Sequence, residues 1–260
     1  MTATSARRTS PAPDPAWRPE MNVNRRNTTL RRAVAALAGR TGRVLEVGAG
    51  TARFLRAVHR FHPHLQAHAS DIDPAALRQA VGASPLLEVT QSDLTALPYR
   101  DGAFDAVLVF DVLEHLHQPA LGVAEIARVT KPGGVLHALI PCEGQPLTLH
   151  WLLWKAGVAS DLKERRVGHV QRFTHASAVR LLQTHGFRVT GVSWSMHPVG
   201  QVKDVLTYLE MEAGFPRWLA RNPLYRGGMA ALWLGSYAEA AVLQRLPLSA
   251  VAMHVTAVRQ

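Results

Sequence analysis

Two short clusters of glycine and acid hold most of the chemistry legible in this chain. The first is Glu46-Val-Gly48-Ala-Gly50-Thr-Ala52, directly after the apolar run Arg43–Val47. Glycines behind a buried strand permit a tight turn and close approach of a ligand to the backbone, with a helix N-terminus beyond. Such a turn alone is shared by many nucleotide-binding domains, nicotinamide-binding ones included. The second is Asp71-Ile72-Asp73-Pro74. An acid that ends a strand can accept hydrogen bonds from both hydroxyls of a ribose, or it can cap the helix that follows. Asp73, directly before Pro74, reads as the cap, and Asp71 as the ribose acid. Two later segments hold further candidates: Gln91-Ser-Asp93-Leu94, and Phe110-Asp111-Val-Leu-Glu114-His115-Leu-His117. His115 is the general-base candidate, because imidazole titrates near neutrality; alternatively the Glu114-His115 pair only orients its loop. His169 and His197 lie in later segments and either could face the same site or cap a turn.

These groups need a scaffold that brings loops from distant parts of the chain together. Apolar runs predict strands at Arg43–Val47, Gln66–Ser70, Leu86–Thr90, Ala103–Phe110, Val135–Ile140, Phe187–Trp194 and Ala250–Val258. Helical spacing fills the gaps: a helix after Asn27, Thr51–Phe61, one opening at Pro74, Ala120–Val129 and Thr174–His185. Strands alternating with helices imply an α/β fold, a doubly wound, mostly parallel sheet with helices on both faces. Two segments break the rhythm, Pro141–Phe173 and Ser195–Ser249. Both follow strand carboxyl ends, where open α/β sheets place ligands, and are expected to wall and cover a pocket. The division expected is a flexible basic tail over 1–24, a Rossmann-like domain over 25–194 plus 250–260, and a mainly helical lid insertion over 195–249.

Taken in order, the motifs between residues 43 and 194 resemble the class I S-adenosylmethionine-dependent methyltransferases, of the small-molecule, type 11-like kind. That family's first motif reads E/D-x-G-x-G-x-G, matched here from Glu46 to Ala52, with Ala52 at the third glycine. The resemblance implies S-adenosyl-L-methionine as cofactor, with Glu46, Gly48 and Gly50 at its turn and Asp71 on its ribose. It places Ile72 against the adenine face, Asp93 on the adenine amino group, Leu94 on the ring, and the backbone near Phe110 beside the methionine portion. Lys131-Pro-Gly-Gly134 and the His185-Gly186-Phe187 step complete the likeness. It implies methyl transfer to a small molecule, to oxygen first and carbon next, with His115 and His169 as candidate catalytic residues. An NAD(P)-dependent oxidoreductase would share the glycine turn and ribose acid but has no use for Asp93-Leu94. A non-catalytic cofactor-binding scaffold using the basic tail is the other alternative. No N/D-P-P-Y/F follows the fourth strand, which speaks against methylation of base or glutamine amino groups.

Composition narrows partners. Cys142 is the single cysteine of 260 residues, so no intrachain disulfide and no cysteine-rich zinc site can form, and a reducing, cytoplasmic setting is expected. His59, His62, His64 and His68 cluster in sequence, but around Pro63 they read as a surface patch, and no metal is expected. Of the formal charge of +10, residues 1–40 supply a surplus of six through eight arginines against Asp14 and Glu20. With basicity concentrated at that end, a body that is only mildly basic and no interleaved aromatics, nucleic acid is not the expected partner. The apolar stretch Gly227–Leu243 is broken by Ser236 and Glu239, which leaves peripheral membrane contact but no span. Trp151, Trp154, Phe215, Trp218, Trp233 and Tyr237 fall in the two covering segments and point either to a hydrophobic small-molecule acceptor or to lid packing.

Overall fold

The computed structural model describes residues 28–84, 87–157, 162–211, 214–247 and 249–260. The proposed tail over 1–24, and the Leu86 end of the third strand, lie outside them. Seven strands form one sheet: β1 (Arg43–Val47), β2 (Gln66–Asp71), β3 (Glu88–Gln91), β4 (Phe104–Phe110), β5 (Thr130–Pro141), β6 (Phe187–Ser195) and β7 (Ala252–Arg259). Their order is β3-β2-β1-β4-β5-β7-β6. All pairs from β3 to β5 are parallel, whereas β7 runs antiparallel to both neighbours. The chain builds outward from β1 to β3, then returns to place β4 on the other side of β1. The crevice beyond the carboxyl ends of β1 and β4 is therefore the switch point where such sheets bind ligands.

The helices are α1 (Thr28–Ala36), α2 (Arg53–Phe61), α3 (Pro74–Ala83), α4 (Pro119–Val129), α5 (Leu149–Lys155), α6 (Leu162–Val167), α7 (His175–Thr184), α8 (Pro198–Glu210), α9 (Arg217–Arg221) and α10 (Pro223–Leu243). The central strands are mostly apolar because both their faces are covered, with Glu46 and His137 as buried polar exceptions. Val44, Ala106, Leu108 and Phe110 pack with Leu30, Ala33, Leu55 and Val58 of α1 and α2. Their alternates Leu45, Val47, Val107 and Val109 pack with Val123, Ile126 and Leu182 of α4 and α7. Each residue step along a strand reverses the face, so one run supplies both cores.

Local signals set most boundaries. The Asp73 side chain accepts from Ala75 N at 2.8 Å and Pro74 opens α3. Thr174 and Ser177 form a reciprocal capping box on α7. The fifth strand starts at Thr130, earlier than its apolar run at Val135, because Lys131-Pro-Gly-Gly134 is a bulge inside it: pairing passes from Phe104↔Thr130 to Ala106↔Val135. Between β6 and β7, α10 packs on α8, and the Glu239 carboxylate of α10 accepts from Val199 N and Gly200 N in the first turn of α8. Among the described residues, no helix is long and apolar enough to cross a membrane.

Candidate functional site

Strand register brings the predicted groups to one edge. Val47 lies beside Ser70 and Val109, Ser70 beside Thr90, and Phe110 beside Leu139. Gly48, Asp71, Ser92 and Asp111 therefore leave the sheet side by side. Gly48 and Gly50 have φ of +62° and +53°, conformations that glycine adopts without strain. A Cβ on Gly48 would collide with the Val112 side chain just beyond β4, whereas the space over Gly50 is open. The turn is held from two sides. Asp71 Oδ2 accepts from Gly50 N at 2.6 Å and its Oδ1 from Asp73 N at 2.9 Å. Beneath, Glu46 is 2% exposed and its Oε2 accepts from Leu55 N at 2.9 Å, tying β1 to the first turn of α2. Burial pushes the Glu46 carboxyl up to about 8, against the opposing pull of the Leu55 N–H and Arg53. Glu46 thus shapes the turn from inside.

This edge fits an adenosyl group. Each Asp71 oxygen spends one acceptor site on backbone and keeps capacity for a ribose hydroxyl, and Ile72 presents an apolar side chain that is 66% exposed. Asp93 lies at the same edge, its Oδ1 accepting from Thr95 N and Oγ1, both at 2.8 Å. Leu94 departs from expectation. Its side chain is turned into the core toward Gly122 of α4, which leaves it little surface for an adenine ring. Phe110 likewise places its ring in the core, 4.9 Å from that of Phe54, so only its backbone borders the crevice.

Past β4 the chain makes an abrupt turn. Asp111 takes φ +53°, and a 3-10 turn, Leu113–His115, follows. A loop from the segment before α7 is strapped to this turn: Val170 N and Gln171 N donate to Glu114 O at 2.9 and 3.0 Å, and Gln171 Nε2 donates to Leu116 O at 3.0 Å. His169 is thereby brought to His115, with ring centroids 4.9 Å apart and planes at 88°. Between them stands Glu114, fully buried, with Oε1 3.7 Å from Nε2 of each histidine and neither carboxylate oxygen hydrogen-bonded. A polar network continues from His169: Nδ1 meets Glu143 Oε1 at 2.9 Å, and Lys163 Nζ bridges Glu143 Oε1 at 2.7 Å and Asp204 Oδ2 at 2.8 Å. His150 Nε2 reaches the same Asp204 oxygen at 3.0 Å.

Burial, then the Asp111 charge, raises the Glu114 carboxyl well above its usual range. Asp111 is solvent-accessible yet crowded by protein, as a carboxylate in a cleft is; the crowding raises it to about 6, against the pull of His169 and Lys163. Burial also opposes ionisation of Glu143 and Asp204, but Lys163 with its histidine partners holds both below the usual carboxylate range. Burial lowers His115, as does the nearby His169.

The histidines predicted from sequence are thus partly united: His115 and His169 meet, while His197 is fully buried at the start of α8. His62 and His64 meet edge to face, with ring centroids 5.9 Å apart, but bond the separate Val34 and Arg40 carbonyls, and His68 is engaged by Glu88 and Arg43. Cys142 is buried, and burial pushes its thiol far up, which removes it as a nucleophile. Sequence reasoning missed Glu143, Lys163, Asp204 and His150. Lys163, within Leu162-Lys-Glu-Arg-Arg-Val167, has the appearance of a solvated charge run. Its one distinguishing signal is a position inside a segment expected to wall the pocket.

The sheet order, with the glycine turn at its switch point and an acid ending β2, defines a Rossmann-like α/β fold. Residues 45–138 match the methyltransferase domain family, and over this stretch the chain is similar to several curated methyltransferases. It is 36% identical over 104 residues to a demethylmenaquinone methyltransferase of Renibacterium salmoninarum, covering 40% of this chain and 42% of that protein. It is 34% identical over 113 residues to a malonyl-[acyl-carrier protein] O-methyltransferase of Halorhodospira halophila, covering 42% and 37%. The matches thus span about two fifths of the length of these curated relatives. In fold it is similar to Haemonchus contortus phosphoethanolamine N-methyltransferase 2 in complex with S-adenosyl-L-methionine, with TM-score 0.58, 18% identity and coverage of 89% of this chain and 52% of the other.

Proposed function

We propose that this protein transfers a methyl group from S-adenosyl-L-methionine to a small, hydrophobic acceptor, to oxygen in the first instance and to carbon as the next choice. The observation that carries the reading is the Asp71–Gly50 bond, which locks a ribose-competent carboxylate to the glycine turn beside the exposed Ile72. S-adenosyl-L-methionine supplies, when bound, a methyl group already activated on a sulfonium sulfur. Asp71 grips the ribose, Ile72 lies along the adenine, and Asp93 meets its amino group. Gly48 and the backbone near Phe110 border the methionine portion, leaving the tip of β4 beside the reacting atoms. What remains for the chain is to align the acceptor in line and exclude water. His115 and His169 are the groups placed to act on the acceptor, as bases or through a bound ion.

One observation supports a hydrophobic acceptor: the relatives matched over the cofactor-binding half include enzymes named for a quinone, beside one named for an acyl-carrier-bound acid. The cavity of about 550 Å³ between α1 and α10, lined by Trp233, Leu234, Tyr237 and Ala240, shares no residue with the cofactor edge. In this reading the segment 195–249 is the lid of a domain formed by 25–194 and 250–260, in contact with the reducing cytoplasm and with membranes only peripherally. Calorimetry with S-adenosylhomocysteine and with NAD tests the cofactor half. The expected result is binding of the former alone, weakened about 100-fold by Asp71→Ala through loss of two charge-assisted hydrogen bonds. Unchanged affinity in that variant would remove the assignment. A panel of quinols, polyketide-like phenols and short polar acids tests the acceptor, and turnover of only the polar acids rejects a hydrophobic one.

A further inference from the structure

Glu114 poses a problem that methyl transfer does not solve. A buried carboxylate whose two oxygens lack any hydrogen bond is costly, and such groups persist where something else completes them. What surrounds it is two imidazoles, each presenting Nε2 at 3.7 Å from the same oxygen, Oε1. One donor atom from each of Glu114, His115 and His169 lies within 4.8 Å of the others. A tetrahedral ion with bonds of about 2.1 Å spaces its donors about 3.4 Å apart, so the two 3.7 Å spans need almost no adjustment.

The far sides of both rings are fixed in the manner metal ligands require. His115 Nδ1 meets Gly168 O at 3.1 Å, and His169 Nδ1 meets Glu143 Oε1 at 2.9 Å. Nδ1 of each ring is engaged by its outer partner, and Nε2 is the ring nitrogen left on the Glu114 side, 3.7 Å from Oε1. Backbone carbonyl and carboxylate are the usual outer partners of metal-bound histidine. The polar surroundings extend outward from His169, where Glu143 and Asp204 are bridged by Lys163. The His115 side chain is 37% exposed, so the site has an open approach.

We propose that Glu114, His115 and His169 bind a divalent first-row transition-metal ion of the zinc type. Two imidazoles among three donors favour such an ion over magnesium or calcium, which prefer oxygen. Three protein ligands leave a coordination position, taken by water, by Asp111 or by an oxygen of the acceptor. The binding inference stands by itself; only the acceptor oxygen rests on the methyl-transfer reading.

The test uses untagged full-length protein stripped with chelator and titrated with Zn2+ by calorimetry and with Co2+ by visible absorption. One ion per chain, micromolar or tighter, and Co2+ bands of low coordination number are expected. Glu114→Gln and His169→Ala should each weaken binding at least about 100-fold, and Glu143→Gln about 10-fold, as outer-shell changes do. His64→Ala, in the surface histidine group, should leave it unchanged. Without metal, Glu114→Gln should melt no lower than the parent, because an isosteric amide replaces a side chain that has no hydrogen bond to lose; added Zn2+ should raise the melting temperature of the parent only. S-adenosylhomocysteine affinity, measured on every variant, reports an intact crevice and keeps the two proposals separable. Zn2+ affinity weaker than about 100 μM (a level far below that of dedicated sites), equal affinity in Glu114→Gln, or equal competition by Mg2+ would overturn the proposal.

Discussion

Glu46→Gln is the most direct probe of how the glycine turn is built. The Glu46 carboxyl is 2% exposed, accepts one backbone hydrogen bond, from Leu55 N, and is raised by burial from 4.5 to about 8. The folded state therefore keeps this proton through a range in which the unfolded chain releases it. Stability from this group is fully present below pH 4.5, declines as pH rises, and has gone above about 8. The gap corresponds to about 5 kcal/mol if fully expressed, of which about 4 falls between pH 5 and pH 8. Glutamine keeps the carbonyl acceptor for Leu55 N and does not titrate. At pH 5 the two proteins should thus differ by less than about 1 kcal/mol, the scale of one altered neutral hydrogen bond. By pH 8 the variant should have gained several kcal/mol on the parent. Buried His137, lowered to about 4, and His254, lowered well below its usual value, both by burial, change stability in the opposite sense below pH 6.5. They are common to both proteins and cancel in the difference. Urea unfolding at half-unit steps from pH 5 to pH 8.5 measures it. Parallel stability curves for the two proteins would refute the argument that Glu46 is held protonated.

Other perturbations follow from the same geometry. Gly48→Ala combines a left-handed backbone with a collision against Val112; a loss of roughly 2 kcal/mol or more in stability is expected, with S-adenosylhomocysteine binding lost, and calorimetry and thermal melts read both. Lys163→Met strands Glu143 and Asp204, whose side chains are 3% and 16% exposed, and should cost about 3–5 kcal/mol at pH 7 by urea unfolding. A cost below about 1 kcal/mol, the scale of a surface ion pair, would show that water already screens the group.

The parallel half of the sheet and its ligand edge were readable in the chain, and the reason is local. Strands buried on both faces are mostly apolar, turns with positive φ favour glycine, and a helix start records its cap, so Arg43–Val47, Gly48–Gly50 and Asp73-Pro74 carry their own structure. Glu46, Asp71 and Asp93 could be assigned to one edge because parallel strands deliver every carboxyl end to the same side. The insertion of β7, antiparallel, between β5 and β6 left no such mark, since a strand's periodicity carries neither its direction nor its neighbours. Leu94 shows the same limit, because its choice between ligand and core depends on the space that Gly122 of α4 leaves for it.

The group around Glu114 is wholly a product of tertiary structure. His115 and His169 are 54 positions apart, and Glu143, Lys163 and Asp204 come from three further segments. Each looks ordinary in its own stretch of sequence. What joins them is a loop held to the β4 tip by the Glu114 carbonyl and burial that strips Glu114 of water. Burial and long-range contact are properties of the packed chain, and no run of neighbouring residues can encode them alone.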